Sequence, residues 1–144
     1  MNNNVKGLTY QSNVTKYYKS LNQLEGVFEQ IYLKFVYNGS NPRFKNFIGK
    51  SIESIADNIL VEKIGNKIRF IYGESKLGKG IITDNQEMLM EMIKQGAKVE
   101  VRSASSKIST EFFQQGDKIT FDQINFFKGQ SINDITQPIT NWKK

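Results

Sequence analysis

Residues 61–72 read Val61-Glu62-Lys63-Ile64-Gly65-Asn66-Lys67-Ile68-Arg69-Phe70-Ile71-Tyr72, and this stretch decides the fold. Gly65-Asn66 is a two-residue turn signal between two runs rich in β-branched and aromatic side chains. In the second run, Ile68, Phe70 and Tyr72 alternate with Lys67, Arg69 and Ile71. Such alternation is typical of a strand with one buried face, so the stretch predicts a β-hairpin.

More strands and one helix are predicted after the hairpin. Alternation or β-branched content predicts strands at 81–83, 98–102 and 118–121. Asp84 is a candidate N-cap for a helix over 84–95, and Gly96 is a natural stop for that helix. Its inward face would carry Met88, Leu89, Met92 and Ile93.

Upstream of the hairpin, the spacing of apolar residues predicts two helices. Residues 1–12 are polar and without periodicity, which indicates a loose arm or linker. From Val14 to Phe35 apolar residues recur at three- and four-residue steps, which predicts an amphipathic helix over 13–37. Ser51 is a good N-cap, and the apolar spacing after it predicts a second, short helix.

Together these elements predict a single α+β domain over residues 13–144. The expected architecture has the N-terminal helices packed on one face of a four- to five-stranded antiparallel or mixed sheet. Inward positions would be Ile68, Phe70, Val99, Val101, Ile119 and Phe121. The opposite face would then carry Arg69, Glu100, Arg102, Lys118 and Thr120, and an open basic face of this kind suits a phosphate backbone.

The composition removes several classes of function. The 144 residues contain neither histidine nor cysteine, which takes away the usual general base, zinc ligands and thiol nucleophile. No cofactor is expected, and no carboxylates stand at a recognised metal spacing.

The net charge of +6 favours anionic partners such as nucleic acid or an acidic protein. No apolar run reaches the roughly 18 residues of a membrane span, and no secretory signal core follows Met1.

Residues 73–80 match the GxxxxGK spacing of a phosphate-binding loop. Gly80 stands where that loop needs Ser or Thr for Mg²⁺, and the residues after it look extended rather than helical. A glycine-rich turn is therefore the better interpretation. Such a turn can still present Lys76 and Lys79 to a phosphate.

Residues 102–111 supply the chemistry that RNA cleavage without a metal requires. That reaction needs a base for the 2′-hydroxyl, a cation for the phosphate and an acid for the leaving oxygen. The candidate catalytic residues are Arg102, Ser105, Lys107, Thr110 and Glu111. The candidate nucleic-acid-binding residues outside this segment are Arg69, Lys76, Lys79 and Lys118. A solvent-exposed, serine-rich loop is the alternative interpretation of 102–111.

The stretch Phe47-Ile48-Gly49-Lys50-Ser51-Ile52-Glu53-Ser54-Ile55-Ala56-Asp57-Asn58-Ile59-Leu60 resembles the start of known toxin domains. These are the C-terminal nuclease toxin domains of bacterial polymorphic and contact-dependent growth-inhibition systems. The resemblance extends over about residues 47–97, through the hairpin and the helix that ends at Gly96. It implies a nuclease delivered into a target cell, acting in the cytoplasm on RNA such as tRNA and neutralised by an acidic immunity protein.

The chain is therefore expected to act on nucleic acid. The leading hypothesis is a metal-independent ribonuclease toxin domain. The alternative is a non-enzymatic module of phage or mobile-element origin that binds nucleic acid or an acidic protein.

Overall fold

The computed structural model describes residues 2–103, 110–135 and 139–144, and it confirms the α+β class. The elements within these residues are α1 (Asn3–Lys19), β1 (Leu24–Val36), a 3-10 helix (Pro42–Phe47), β2 (Ser51–Ile64), β3 (Lys67–Leu77), α2 (Asp84–Lys94), β4 (Val99–Ser103), β5 (Lys118–Ile119), β6 (Phe121–Gly129) and β7 (Ile139–Lys143). Within the described ranges the sheet has seven strands rather than the four or five expected.

The seven strands form one mixed sheet in the order β5-β4-β1-β2-β3-β6-β7. Its neighbouring strands are antiparallel except for β3 and β6, which run parallel. The central hairpin is confirmed, because Ile64 pairs with Lys67 across the Gly65-Asn66 turn. Gly65 has a φ of +61° at the first turn position, a conformation that glycine adopts without steric cost.

The two helices cover opposite faces of the sheet, whereas the sequence predicted helices on one face. Ile71 packs in the cluster beneath α1, and the next residue, Tyr72, packs in the cluster beneath α2. Because successive strand residues point to opposite faces, the two clusters lie on opposite sides of the sheet. The predicted inward residues Val99, Val101 and Ile119 belong to the α2 cluster, as does Phe121, while Ile68 is 48% exposed.

The N-terminal prediction was wrong in both of its parts. Residues from Asn3 are helical rather than a loose arm, and α1 ends at Lys19 instead of continuing to residue 37. Tyr10 is buried against Gly129, where a Cβ would lie 2.5 Å from the tyrosine ring. This contact places the first turns of α1 against the end of β6.

The predicted helix after Ser51 is also wrong, because Ser51–Ile64 forms β2. In β1 the inward side changes from Phe28 to Ile31, next to Gln30, whose φ is +55°. In β2 it changes between Ala56 and Ile59. Both strands change their inward side and are partly covered on both faces. Their apolar residues therefore recur at three- and four-residue steps, which is the spacing expected of a helix.

The helix predicted over 84–95 is confirmed as α2. Its cap is Thr83, one residue before the predicted one, and Thr83 forms a capping box with Gln86. Residues 81–83 are not a strand.

The C-terminal tail is held by β7, in which Trp142 pairs with Ile124 and packs on the core.

Candidate functional site

The end of the sheet formed by β5, β4 and β1 carries a row of alternating charges. Lys118 pairs with Glu100, Glu100 pairs with Lys34, and Lys34 pairs with Glu53 on β2. These four residues, the charged row, lie on the face opposite Val99 and Val101 and beyond the area that α1 covers. The predicted open face therefore exists at this end of the sheet, and it holds carboxylates as well as cations.

Arg102 joins the two carboxylates of the charged row. Its Nη1 lies 2.7 Å from Glu100 Oε2, and its Nε lies 4.0 Å from Glu53 Oε1. The hydrogen bond from Arg102, with the charges of Lys34 and Lys118, lowers the pKa of Glu100 below its ordinary value. Arg102 and Lys118, both predicted from the sequence, are thus brought together around Glu100.

A shallow groove of about 220 Å³ opens beside the charged row. Its lining includes Lys34, Lys98, Lys118, Glu100, Val36 and Ser51, so three lysines face a single carboxylate. Val36 at its edge is 50% exposed. This basic groove combines positive charge with an uncovered apolar surface.

In the described part of the predicted catalytic segment, Arg102, Thr110 and Glu111 show no hydrogen bond or ion pair with one another. Ser105 and Lys107 lie outside the described residues. The Thr110 hydroxyl donates to the Phe113 carbonyl at 2.8 Å and accepts from the Phe112 and Phe113 amides, so it organises a turn. Glu111 is exposed and Arg102 is engaged by glutamates.

Arg69 is not a free cation. Its Nε lies 2.9 Å from Glu62 Oε1, and its Nη2 donates to Gln123 Oε1 at 2.8 Å. Only 16% of the Arg69 side chain is exposed. The structure therefore does not leave Arg69 in the open position that the sequence suggested, and its role in binding nucleic acid stays a prediction.

The GxxxxGK stretch does not form a nucleotide-hydrolysing loop. β3 continues to Leu77, Gly78 turns the chain with a φ of +60°, and α2 begins only at Asp84. Lys79 is exposed. Lys76 instead lines a cleft of about 370 Å³ together with Lys6 from α1. Of the two lysines predicted to meet phosphate, only Lys76 lies in this cavity.

A buried group of polar side chains lies next to this cleft, and sequence reasoning missed it. Glu74 accepts hydrogen bonds from the Tyr72 hydroxyl at 2.7 Å and from Gln86 Nε2 at 3.0 Å. Asp57 accepts from the Ser75 amide at 2.9 Å, where the β2–β3 ladder has ended. A signal was present, because the alternation of Ile68, Phe70 and Tyr72 places Glu74 on the same inward side.

The environment of Glu74 keeps its proton bound at neutral pH. Burial, followed by a hydrogen bond to Asp57 and the charge of Asp57, raises the pKa of Glu74 to about 9. The protonated Glu74 carboxyl group therefore donates a hydrogen bond to Asp57. Because the Glu74 side chain is fully buried, this pair serves the fold at this position rather than contacting a substrate directly.

No protein-family model, curated protein or solved structure matches this chain. Among the described residues, no group of three or more acidic side chains is arranged to hold a metal ion. The helices in that part of the chain are too short or too polar to cross a membrane. The resemblance to toxin domains stays a prediction that none of these findings tests.

Proposed function

We propose that the protein binds the phosphate backbone of nucleic acid through the basic groove and the charged row beside it. RNA is the favoured polymer because the resemblance over residues 47–97 implies RNA. The observation that carries the proposal is the convergence of Lys34, Lys98 and Lys118 on one groove that neither helix covers.

Electrostatics supports a polyanion as the partner. Strands lie about 4.8 Å apart, so Lys34 and Lys118, separated by β4, present two cations about 10 Å apart along the sheet. Lysine side chains at an exposed site bind phosphates mainly by releasing condensed counterions. Exposed Val36, with Tyr32 on the same side of β1, supplies apolar surface against which sugars or bases can pack.

The experiment is fluorescence anisotropy with labelled single-stranded RNA, and with duplex DNA for comparison, in EDTA over a range of salt concentrations. The variants are Lys34→Gln, Lys118→Gln and the double variant. The matched controls are Lys63→Gln and Lys67→Gln, which remove the same charge at the exposed turn of the central hairpin. We expect the slope of log affinity against log salt to shrink by about 0.7 for each groove lysine removed.

Two results would contradict the proposal. One is the absence of salt-sensitive binding to either nucleic acid. The other is an equal loss in the hairpin controls, which would mean that net charge rather than the basic groove is responsible. In the first case an acidic protein becomes the partner to test.

Ribonuclease activity is the second candidate function. It is favoured by the position of Arg102, which contacts the charged row at the end of β4, directly before residues 104–109. Denaturing gels of the same RNA in EDTA test it, with Arg102→Gln and Glu111→Ala as variants. Discrete fragments that disappear with Arg102→Gln would support metal-independent cleavage, and intact RNA would reject it.

A further inference from the structure

Where the 3-10 helix leads into β2, the chain exposes two adjoining apolar side chains between two lysines. The sequence there is Lys45-Asn46-Phe47-Ile48-Gly49-Lys50, which we call the 45–50 turn. Ile48 is 55% exposed and Phe47 is 37% exposed. Lys45 and Lys50 are exposed as well. Adjoining exposed apolar side chains with a charged rim are typical of an interaction surface.

Backbone hydrogen bonds hold the 45–50 turn in one conformation. The Gly49 amide donates to the Tyr37 carbonyl at 2.8 Å, and the Tyr37 amide donates to the Lys50 carbonyl at 3.0 Å. Gly49 has a φ of +81°, which glycine adopts without steric cost. Phe44, at the start of the helix, is buried in the core. The exposed side chains are therefore presented by a fixed backbone, and binding need not order this segment.

Both lysines lie beside the apolar pair. The Ile48 amide donates to the Lys45 carbonyl at 3.4 Å, which completes a 3-10 turn. Side chains three residues apart in such a turn lie on the same side. Lys50 Nζ lies 5.9 Å from the centre of the Phe47 ring. The two ammonium groups therefore rim the apolar pair.

The positive charge of the 45–50 turn is not compensated locally. Residues 38–52 contain Arg43, Lys45 and Lys50 and no acidic residue. Arg43 is engaged by two carboxylates of α2. Neither lysine forms an ion pair within the described ranges. These two ammonium groups favour an anionic partner.

More positive charge lies at the same end of the sheet. Ser51, which follows Lys50 directly, lines the basic groove together with the three groove lysines. Val36 lines the same groove, and Tyr37 after it holds the 45–50 turn. The attraction of a broad anionic surface therefore does not depend on the two turn lysines alone.

We propose that the 45–50 turn docks the protein on an anionic lipid bilayer. Phe47 and Ile48 enter the boundary between headgroups and acyl chains, and Lys45 and Lys50 lie at the level of the charged headgroups. Apolar side chains in that boundary and lysines near an anionic leaflet are the two contributions that hold peripheral proteins on membranes.

The form of the turn favours a bilayer over a protein or a nucleic acid. A stable protein interface buries about 800 Å² on each partner, and two exposed apolar side chains on one turn offer much less. Base stacking needs an open aromatic face, but Ile48 has no ring and the Lys50 ammonium group lies over the Phe47 ring. A bilayer surface deforms around a small projection and needs no matching pocket.

The central hairpin supplies a matched control, because it combines similar residues in a different arrangement. Ile64 is 56% exposed and lies between Lys63 and Lys67 in the sequence. Ile64 pairs with Lys67 and Ile68 pairs with Lys63, so the two isoleucines are on opposite faces of the hairpin. The hairpin therefore has the same charge and exposure but no adjoining apolar pair.

The test is co-sedimentation of the whole chain with vesicles of phosphatidylcholine, prepared with and without phosphatidylserine. We expect binding only to the vesicles that contain phosphatidylserine. Lys45→Gln and Lys50→Gln should each weaken it by about fivefold, the value of one lysine near an anionic leaflet. Ile48→Ser should weaken it by about tenfold, because an apolar side chain no longer leaves water.

The control variants are Ile64→Ser and the double variant Lys63→Gln/Lys67→Gln, which should leave vesicle binding unchanged. Ile48 and Ile64 are similarly exposed, so the fold accepts serine at either position.

A second measurement locates the contact. Since the chain has no cysteine, Ile48→Cys and Ile64→Cys each carry a single environment-sensitive fluorophore. The emission of the fluorophore at position 48 should shift to the blue when phosphatidylserine vesicles are added. The emission at position 64 should stay unchanged.

The proposal is overturned if the chain does not bind phosphatidylserine vesicles or binds neutral vesicles equally well. It is also overturned if Ile64→Ser weakens binding as much as Ile48→Ser, or if the fluorophore at position 48 stays in water. A loss of RNA affinity in Ile48→Ser without any vesicle binding would assign the turn to nucleic acid instead. RNA binding at the basic groove can fail without affecting the vesicle result.

Discussion

Glu74 and Glu100 lie in the same sheet, and their surroundings act on them in opposite directions. Glu74, on β3, is buried between Tyr72 and Gln86, and burial raises its pKa to about 9. Glu100, on β4, lies among Arg102, Lys34 and Lys118, and these cations lower its pKa. One glutamate therefore holds a proton at neutral pH, and the other holds a negative charge.

The difference shows which part of the sheet serves the fold and which part is open to a partner. The buried pair of Asp57 and Glu74 satisfies hydrogen bonds where the β2–β3 ladder ends. At the charged row, by contrast, a quarter of the Glu100 side chain is exposed, as is 42% of the side chain of its partner Arg102. We therefore expect substitutions at the buried pair to change stability and substitutions in the charged row to change binding.

The largest effect is expected from Asp57→Ala. This change removes two buried hydrogen bonds, because Asp57 accepts one from the Ser75 amide and another from the protonated Glu74 carboxyl group. We expect the free energy of unfolding to fall by about 3 kcal/mol, measured by urea denaturation. Glu111→Ala, at an exposed acidic position, is the control and should change it by less than about 0.5 kcal/mol. If both substitutions lowered the free energy of unfolding equally, the buried pair would not have the special role in stability that we assign to it.

Glu74→Gln should remove a pH dependence of stability. The folded protein holds the Glu74 proton up to about pH 9, whereas the unfolded chain releases it near the ordinary value of 4.5. Between these values the folded state binds more protons. The free energy of unfolding should therefore fall as pH rises, by up to about 1.4 kcal/mol per pH unit.

The measurement is urea denaturation of the wild-type chain and Glu74→Gln at several pH values from weakly acidic to alkaline. The glutamine variant cannot ionise and should show a flatter profile over this range. Parallel profiles for the two proteins would mean that Glu74 titrates normally in the fold.

Arg69→Met tests an ion pair whose exposure is intermediate between that of the buried pair and that of the charged row. Arg69 and Glu62 are 16% and 21% exposed, and the substitution leaves Glu62 without its cation. We expect a loss of about 1–2 kcal/mol in urea denaturation. Lys67→Met, two residues earlier on β3 and exposed, should have little effect. If Arg69→Met leaves the free energy of unfolding unchanged, the pair contributes as little to stability as an exposed surface ion pair does.

The smallest effect on the fold is expected from Glu100→Gln. Removing the carboxylate leaves the lysines and Arg102 of the open face without their central anion. RNA affinity should rise a few-fold in the anisotropy measurement, while the urea midpoint stays close to that of the wild-type chain. Lower affinity would contradict the basic groove as the binding surface.

The confirmed elements carry their signals within a few neighbouring residues. The Gly65-Asn66 turn and the Thr83-to-Gly96 helix are local patterns, and the structure has both. β1 and β2 were mistaken for helices because their burial depends on which elements cover each face. That coverage is set by α1 and α2, which are distant in sequence, so spacing alone was ambiguous.

The candidate site was partly predictable for a similar reason. Alternation placed Arg102, Lys118 and Glu100 on one face, and the structure brings them together. Lys34 could not be assigned to that face, since it lies in a predicted helix and the pairing of β1 with β4 is non-local. The low exposure of Arg69 was not predictable, because its partner Gln123 comes from β6, 54 residues later.

The amino-acid sequence was enough to establish that these 144 residues contain neither histidine nor cysteine and carry a net charge of +6, and to predict the central hairpin. These properties follow from composition and from short-range turn and alternation preferences. The tertiary structure alone decided which charges are buried and which are open. Glu74 and Glu100 are chemically identical residues, and only the packing of strands and helices around each one sets its charge and its role.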